Sequence, residues 1–138
     1  MTPRQRLKII ILGVLPVDLI NRTLGTELEP GDAILTATAD RHIANDHPND
    51  YGLVKASLGL VIESPTYIGQ SPHHAESFEL VRRVVGSNGI DIVLAAITLT
   101  RNEYGNYNVH SAYRLTEEKV TGRIKRGHLC LPKKKGPG

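Results

Sequence analysis

The sequence predicts an α+β fold in which N-terminal helices pack on a twisted antiparallel β-sheet. Segments with helical periodicity end near residue 64, and a series of longer β-rich segments begins near residue 78. The turn Gly86-Ser87-Asn88-Gly89 joins two of these β-rich segments directly, as in a hairpin. The chain has 138 residues, of which 40% are hydrophobic and 22% charged. This length and composition are ordinary for a folded domain and argue against a disordered chain.

Two strands and one helix are predicted before residue 37. Segments 7–12 and 33–36 are short and rich in apolar or β-branched residues, which is typical of strands. Between them, Pro16 favours the start of a helix over 17–24, and Gly25 favours its end. The chain is therefore expected to begin with the order strand, helix, strand.

Two further helices are predicted before the chain becomes β-rich. Thr38 or Asp40 can cap a short helix that ends near residue 46. Asn49 or Asp50 can cap a longer helix whose apolar stripe runs to Glu63. We expect the apolar stripes of the helices to pack on one face of the sheet.

The second half of the chain predicts an antiparallel meander. Residues 78–85 alternate in a way that favours a strand, although a helix is compatible with the same segment. Residues 90–100 are apolar on both faces, which is typical of a central strand. A turn at 102–106 then leads into a third strand over 107–115.

Positive charge is concentrated at the C-terminal end. Residues 1–113 carry nine Lys and Arg against twelve Asp and Glu, whereas residues 114–138 carry eight against two. We expect a single domain over 1–131 and a basic, Pro/Gly-rich tail over 132–138. A basic end suits a polyanion such as a phosphate backbone, and a purely solubilising tail is the alternative. The candidate phosphate contacts are Arg114, Arg123, Lys125 and Arg126.

Several function classes find no support in the sequence. Cys130 is the one cysteine, so neither an intramolecular disulfide nor a zinc site with paired cysteines can form. No apolar run approaches the roughly 20 residues that a membrane-spanning helix needs. The Gly-rich loops of nucleotide-binding proteins and the Gly-x-Ser-x-Gly motif of serine hydrolases do not occur.

Two histidines, His42 and His47, are candidates for proton transfer. They lie five residues apart and so differ by about 140° around a helix, which is unsuitable for clamping one metal ion. His47 is expected at a helix end, near Asp46 and Pro48, where a histidine can act as a general acid or base. The structural alternative is that His42 packs or caps locally and that His47 bonds a backbone carbonyl near the turn at Pro48.

The predicted strand over 107–115 carries two hydroxyl donors. With a period of two, one face carries Val109, Ser111, Tyr113 and Leu115, and the other carries His110, Ala112 and Arg114. Ser111 and Tyr113 could donate two hydrogen bonds to one phosphate, although both residue types are also common on sheets for structural reasons. Arg82 and Arg83 point to opposite faces of their strand, so the register decides which one reaches Ser111.

These candidates belong to an ordered series of short motifs. In order, they are Gly31-Asp32-Ala33-Ile34-Leu35, His42-Ile43, His47-Pro48, Pro65-x-Tyr67-Ile68-Gly69, Phe78-Glu79-Leu80-Val81-Arg82, the strand at 90–98 and Ser111-Ala112-Tyr113 before the basic end. Over roughly residues 7–130 the series resembles the phage and polymorphic-toxin branch of the barnase/EndoU/colicin/RelE-type (BECR) nucleases. The resemblance implies N-terminal helices on an antiparallel sheet of about four strands.

The resemblance also implies an activity: metal-independent cleavage of tRNA or another structured RNA, in which the ribose 2′-OH attacks the adjacent phosphate and leaves a 2′,3′-cyclic phosphate. It implies no cofactor, a toxin role in the cytoplasm, and an immunity protein or antitoxin as partner. The chemistry needs a proton-transfer group near neutral pH and donors for the phosphate. The residues predicted for these roles are His47, His42, Ser111, Arg82 and Tyr113, with Arg114, Arg123, Lys125 and Arg126 on the RNA.

Two alternatives from other function classes remain open. A non-catalytic RNA-binding module would use the same basic end without needing His47. A structural or interaction domain of a phage or a secretion system would need neither feature. Cleavage of RNA separates an enzyme from both alternatives.

Overall fold

The computed structural model describes residues 9–86 and 88–135. Within these ranges the chain forms the following helices and strands: β1 (Ile9–Val14), α1 (Val17–Leu24), β2 (Asp32–Thr36), α2 (Ala37–Asp46), α3 (Tyr51–Glu63), β3 (Tyr67–Gly69), β4 (Ser77–Gly86), β5 (Gly89–Thr98), β6 (Tyr107–Leu115), α4 (Glu117–Lys125) and β7 (Leu129–Cys130). Gly86 pairs with Gly89 across the β4–β5 hairpin. Ser87 of the predicted turn and the predicted start of the first strand at Leu7 lie outside the described residues.

The strands form one mixed sheet in the order β1-β2-β6-β5-β4-β3-β7. β4, β5 and β6 are antiparallel neighbours, as the predicted meander requires. β2 instead runs parallel to β6, with Ala33 beside Tyr107 and Ile34 beside Asn108. The α+β class is confirmed. The expectation of about four antiparallel strands is wrong, because further strands extend the meander at both edges and one of their pairings is parallel.

The larger hydrophobic core lies between one face of the sheet and the helices α1, α2 and α3. Leu58 of α3 and Phe78 of β4 are both completely buried there. The spacing of Val54, Leu58, Val61 and Ile62 keeps one side of α3 on the sheet, as its apolar stripe predicts. This core confirms that the N-terminal helices pack on the sheet.

The opposite face of the sheet is covered by α4, a helix that falls within the basic C-terminal segment. The Thr116 hydroxyl begins the helix by accepting a hydrogen bond from the backbone N–H of Lys119. Val120 then packs against Val81, Leu94 and other residues of a second, smaller core. Helices therefore lie on both faces of the sheet, and the expectation of helices on one face is incomplete.

A β-bulge in β6 changes which side chains share a face. Ser111 lies opposite Ala96 on β5, but the next residue of β5 lies opposite Val109, so His110 is the extra residue. Val109 consequently belongs to the larger core, whereas Leu115 belongs to the smaller one. The expectation that Val109 shares a face with Tyr113 and Leu115 is wrong, because the bulge interrupts the alternation.

The helix ends agree with local capping chemistry. α1 begins and ends as predicted, and Gly25 ends it with a φ of 72°, a left-handed conformation that suits glycine. α2 is capped by Thr36, whose hydroxyl accepts from the N–H of Ala39, rather than by Thr38 or Asp40.

Among the described residues, no helix combines the length and the apolar character needed to cross a membrane.

Candidate active site

A buried ion pair joins α4 to the sheet at Arg123. The Nη1 of Arg123 donates to Oε1 of Glu79 on β4 over 2.7 Å, and its Nη2 donates to the Tyr113 hydroxyl on β6 over 3.2 Å. The Glu79 side chain is only 7% exposed and that of Arg123 20%. Three elements of the fold thus hold one guanidinium in a fixed place.

The electrostatics of this cluster keep Arg123 charged. Burial disfavours the cation, but the charge of Glu79 and the contact with Tyr113 outweigh that effect, so the pKa of Arg123 is raised. The cation is therefore permanent, and it is oriented by partners that are part of the scaffold.

His47 lies next to this cluster because it ends α2. Its backbone N–H donates to the carbonyl oxygen of Ile43, which continues the helical bonding and fixes the residue. The centroid of its imidazole ring lies 5.4 Å from that of the Tyr113 ring, with the two planes inclined by 31°. The structure therefore brings together three of the predicted site residues: His47, Tyr113 and Arg123.

Ser111 lies on the same face of the sheet as this cluster. The register aligns Ser111 of β6 with Ala96 of β5 and Glu79 of β4 in one row across the strands. The small side chain of Ala96 lies between the serine and the carboxylate. Ser111 and Tyr113 consequently share a face, as predicted.

A cleft of about 350 Å³ opens beside Arg123. It is lined by Ser71, His73, Arg123, Arg126 and His128. Arg126, predicted to contact phosphate, is exposed at the end of α4. The cleft offers cationic and neutral hydrogen-bond donors to an anionic ligand. Arg123 belongs both to the cleft and to the buried cluster.

A family model described as phage-Barnase-EndoU-ColicinE5/D-RelE like nuclease3 matches residues 11–121. The match includes every element from α1 to β6. The chain belongs to this nuclease family. The resemblance inferred from the ordered motifs is thus confirmed at the level of the family. No curated protein and no solved structure matches the chain significantly.

The structure of this nuclease does not bring every predicted cation to the cluster. Arg82 pairs in register with Val93 and lies on the face opposite to Ser111. Its Nη1 donates to the carbonyl and the hydroxyl of Ser64, and its buried Nε finds no partner among residues 9–86 and 88–135. The register instead places Arg83 on the face of Ser111, where it binds Glu117.

Three further predicted residues of this nuclease lie apart from Arg123. Arg114 lies on the other face of β6, where its guanidinium faces Asp50 at 3.6 Å and Asp91 at 3.4 Å. His42 is exposed on α2, and Lys125 is exposed at the last position of α4. In the described part of the chain, no side-chain hydrogen bond or ion pair links either residue to the cluster.

Glu79 of the cluster and the exposed His110 were not among the residues predicted for the site. An acidic residue within the apolar segment Phe78–Val81 was the available signal for Glu79, since a buried carboxylate needs a partner. His110 is exposed at the bulge of β6, which has no local sequence signature. Partial desolvation of its ring, the largest cause, and the charge of His74 lower the pKa of His110, although Glu76 and Glu79 act in the opposite direction.

Proposed function

We propose that this nuclease is a metal-independent endoribonuclease. In the proposed reaction a ribose 2′-oxygen attacks the neighbouring phosphorus, the bond to the 5′-oxygen breaks, and the products carry a 2′,3′-cyclic phosphate and a 5′-hydroxyl. The observation that carries the proposal is the contact of His47 with Tyr113, whose hydroxyl is held by Arg123. A candidate proton-transfer group and a permanent cation thus both contact Tyr113, and cleavage within RNA requires both kinds of group.

Each member of the cluster has a role in the proposed mechanism. Arg123 stabilises the additional negative charge on the phosphorane, with Ser111 and the Tyr113 hydroxyl as further donors. His47 transfers a proton at the reacting oxygens. Glu79 holds Arg123 and is a positioning residue, because its bond to Nη1 fixes the guanidinium plane.

The rest of the RNA chain would occupy the cleft beside Arg123. Arg126 borders this cleft, and Lys125 precedes it at the end of α4. Both cations would contact flanking phosphates and add affinity that depends on salt. Tyr104 is exposed but lies in the loop before β6, so support for base stacking is weak and the substrate would be held mainly through its backbone.

We also propose the biological role that accompanies this activity. An unregulated endoribonuclease that acts on tRNA or another structured RNA arrests growth, so the protein would act as a toxin in the cytoplasm. A cell that makes it would then need an immunity protein or antitoxin. An acidic surface on that partner would complement the basic end of this chain. Growth arrest on induced expression, relieved by a His47→Gln substitution, is the expected result.

Cleavage of end-labelled RNA in EDTA tests the enzymatic proposal. The wild-type protein is expected to cleave, and His47→Gln is expected to be at least 100-fold slower because the proton-transfer group is lost. Full activity of the variant would remove His47 from the mechanism. Binding of RNA without cleavage would favour the non-catalytic RNA-binding module, and neither binding nor cleavage would favour a structural domain.

A further inference from the structure

His110 lies beside Ser111 on β6, and the mechanism proposed for RNA cleavage gives it no role. We propose that His110 is the general base that takes the proton from the ribose 2′-hydroxyl, and that His47 is the general acid that protonates the departing 5′-oxygen. This division of roles rests on the proposed ribonuclease function. A strict alternation along β6 would place His110 on the face opposite to Ser111 and Tyr113, so the sequence pattern alone does not suggest this role.

The β-bulge is the first observation behind this assignment. His110 is the extra residue of β6 between the pairs Ser111–Ala96 and Val109–Ile97. An inserted residue leaves the regular alternation and re-aims its side chain, and bulges are frequent beside active sites. His110 remains exposed, so substrate can reach its ring.

The second observation is that the partners of Arg123 connect it to both histidines. One end of its guanidinium contacts the Tyr113 hydroxyl, and the Tyr113 ring lies against His47. The other end binds Glu79, whose charge acts on His110. His110 precedes Tyr113 by three positions, which corresponds to roughly 10 Å along β6. A phosphate on Arg123 would thus have one histidine on each side.

The charges around His110 indicate which of the two roles it takes. His74 and Glu76, from the segment before β4, and Glu79, from β4, act on its ring, and Arg123 neutralises Glu79 from α4. Partial desolvation and the charge of His74 lower the pKa of His110 by more than Glu76 and Glu79 raise it. The neutral ring is therefore favoured near pH 7. A neutral imidazole accepts a proton, which is the requirement for a general base.

The proposed step balances without any further reactant. The proton of the 2′-hydroxyl moves to His110 as the 2′-oxygen forms a bond to phosphorus. The bond from phosphorus to the 5′-oxygen breaks, and the His47 imidazolium supplies the proton that the 5′-oxygen needs. His110 ends protonated and His47 neutral, and exchange with solvent restores both.

An RNA with sulfur in place of the 5′-oxygen at the cleavage site separates the two roles. The thiolate leaves without a proton, so loss of a general acid matters little on this substrate. His47→Gln is expected to slow cleavage of normal RNA by at least about 100-fold and of the sulfur-containing RNA by less than about 10-fold. His110→Gln is expected to slow both substrates by about 100-fold or more, because the base is needed for each.

The pH profile of kcat/KM is the second readout. Activity of the wild type should fall at acid pH as His110 becomes protonated, and this acid limb should be lost in His110→Gln. The assignment is overturned if the variant keeps the wild-type acid limb, or if the sulfur-containing RNA restores its activity. Failure of the wild type to cleave either RNA would instead contradict the proposed ribonuclease function. Circular dichroism of each variant establishes that it is folded.

Discussion

Arg123 is the residue on which the candidate site depends most. Its guanidinium is shared between the buried carboxylate of Glu79 and the Tyr113 hydroxyl, and it borders the adjacent cleft. A charge in such a place cannot adjust freely to its ligand, so it is already oriented when a phosphate arrives. Preorganised donors of this kind are the usual source of transition-state stabilisation.

We predict that Arg123→Gln loses both stability and activity, and that the two losses can be separated. Removal of the cation leaves Glu79 buried without a partner, which costs about 3–5 kcal/mol of unfolding free energy. A double variant, Glu79→Gln with Arg123→Gln, should recover most of that stability but remain at least about 100-fold slower in RNA cleavage. Urea unfolding and cleavage rates measure the two effects.

Arg101→Gln is the matched control for this prediction. Arg101 is an exposed arginine whose Nη1 donates to the carbonyl of Pro30, away from the cluster. Its replacement removes one positive charge without touching Glu79 or Tyr113. A double variant with wild-type cleavage rates would contradict the role of Arg123.

At the scale of elements, the site depends on how α4 and β7 return to the sheet. β7 pairs with the short strand β3, with Gly69 beside Leu129. A Cβ at Gly69 would overlap the carbonyl oxygen of His128, so only glycine allows this approach. The same contact fixes His128, which lines the cleft next to Arg123. Structure at the edge of the sheet thereby positions residues of the site.

We predict that Gly69→Ala destabilises the protein by about 2 kcal/mol or more, since the backbone of β7 must shift. Gly59→Ala in α3 is the matched control, because its new Cβ would lie at an ordinary 3.6 Å from the nearest atom, the Leu12 carbonyl oxygen. In the interior of a helix this change should add about 0.5–1 kcal/mol. Equal unfolding free energies for the two variants in urea would show that the β3–β7 contact is not tight.

The elements themselves differ in how well the sequence predicts them. Pro16 and Gly25 bound α1 correctly because capping signals are local. The parallel pairing of Ala33 with Tyr107 joins residues more than 70 positions apart, and no local pattern encodes it. The bulge at His110 likewise follows from the register of β6 on β5.

The candidate site was also predictable only in part, because residue types are read locally whereas strand register is not. His47 and Tyr113 stand out by residue type and position, and the fold brings them into contact. Arg82 and Arg83 could not be distinguished, because a shift of one residue in register exchanges the faces of a strand. The sequence did not predict the pairing of Arg123 with Glu79, because the charges of this segment do not indicate that α4 is a helix with one side packed on the sheet.

At the scale of the whole molecule, charge is divided between a mildly acidic body and a basic end. Part of the basic end is paired within the fold: Arg114 lies between two aspartates, and Arg123 is oriented by Glu79. Arg126, which is exposed at the end of α4, remains beside the cleft. RNA affinity should therefore come from a few local phosphate contacts rather than from the net charge of +3.

We predict a salt dependence that reports on these contacts. Each phosphate contact on single-stranded nucleic acid contributes about −0.7 to the slope of log K against log salt concentration. Arg126→Gln should weaken RNA binding and make the slope shallower by about 0.7, whereas Arg101→Gln should leave the slope unchanged. Fluorescence anisotropy with a labelled RNA at several salt concentrations measures both. An unchanged slope in Arg126→Gln would remove this residue from the RNA interface.

The chemistry of the cleaved ends tests the central claim most directly. Wild-type protein is incubated in EDTA with an RNA, and with the same RNA carrying a single 2′-deoxyribose at the cleavage site, and the products are identified by mass spectrometry. A 2′,3′-cyclic phosphate and a 5′-hydroxyl are predicted for the RNA, with no cut at the deoxyribose. A 5′-phosphate end, or cleavage at the deoxyribose, would contradict attack by the 2′-hydroxyl and with it the proposed function.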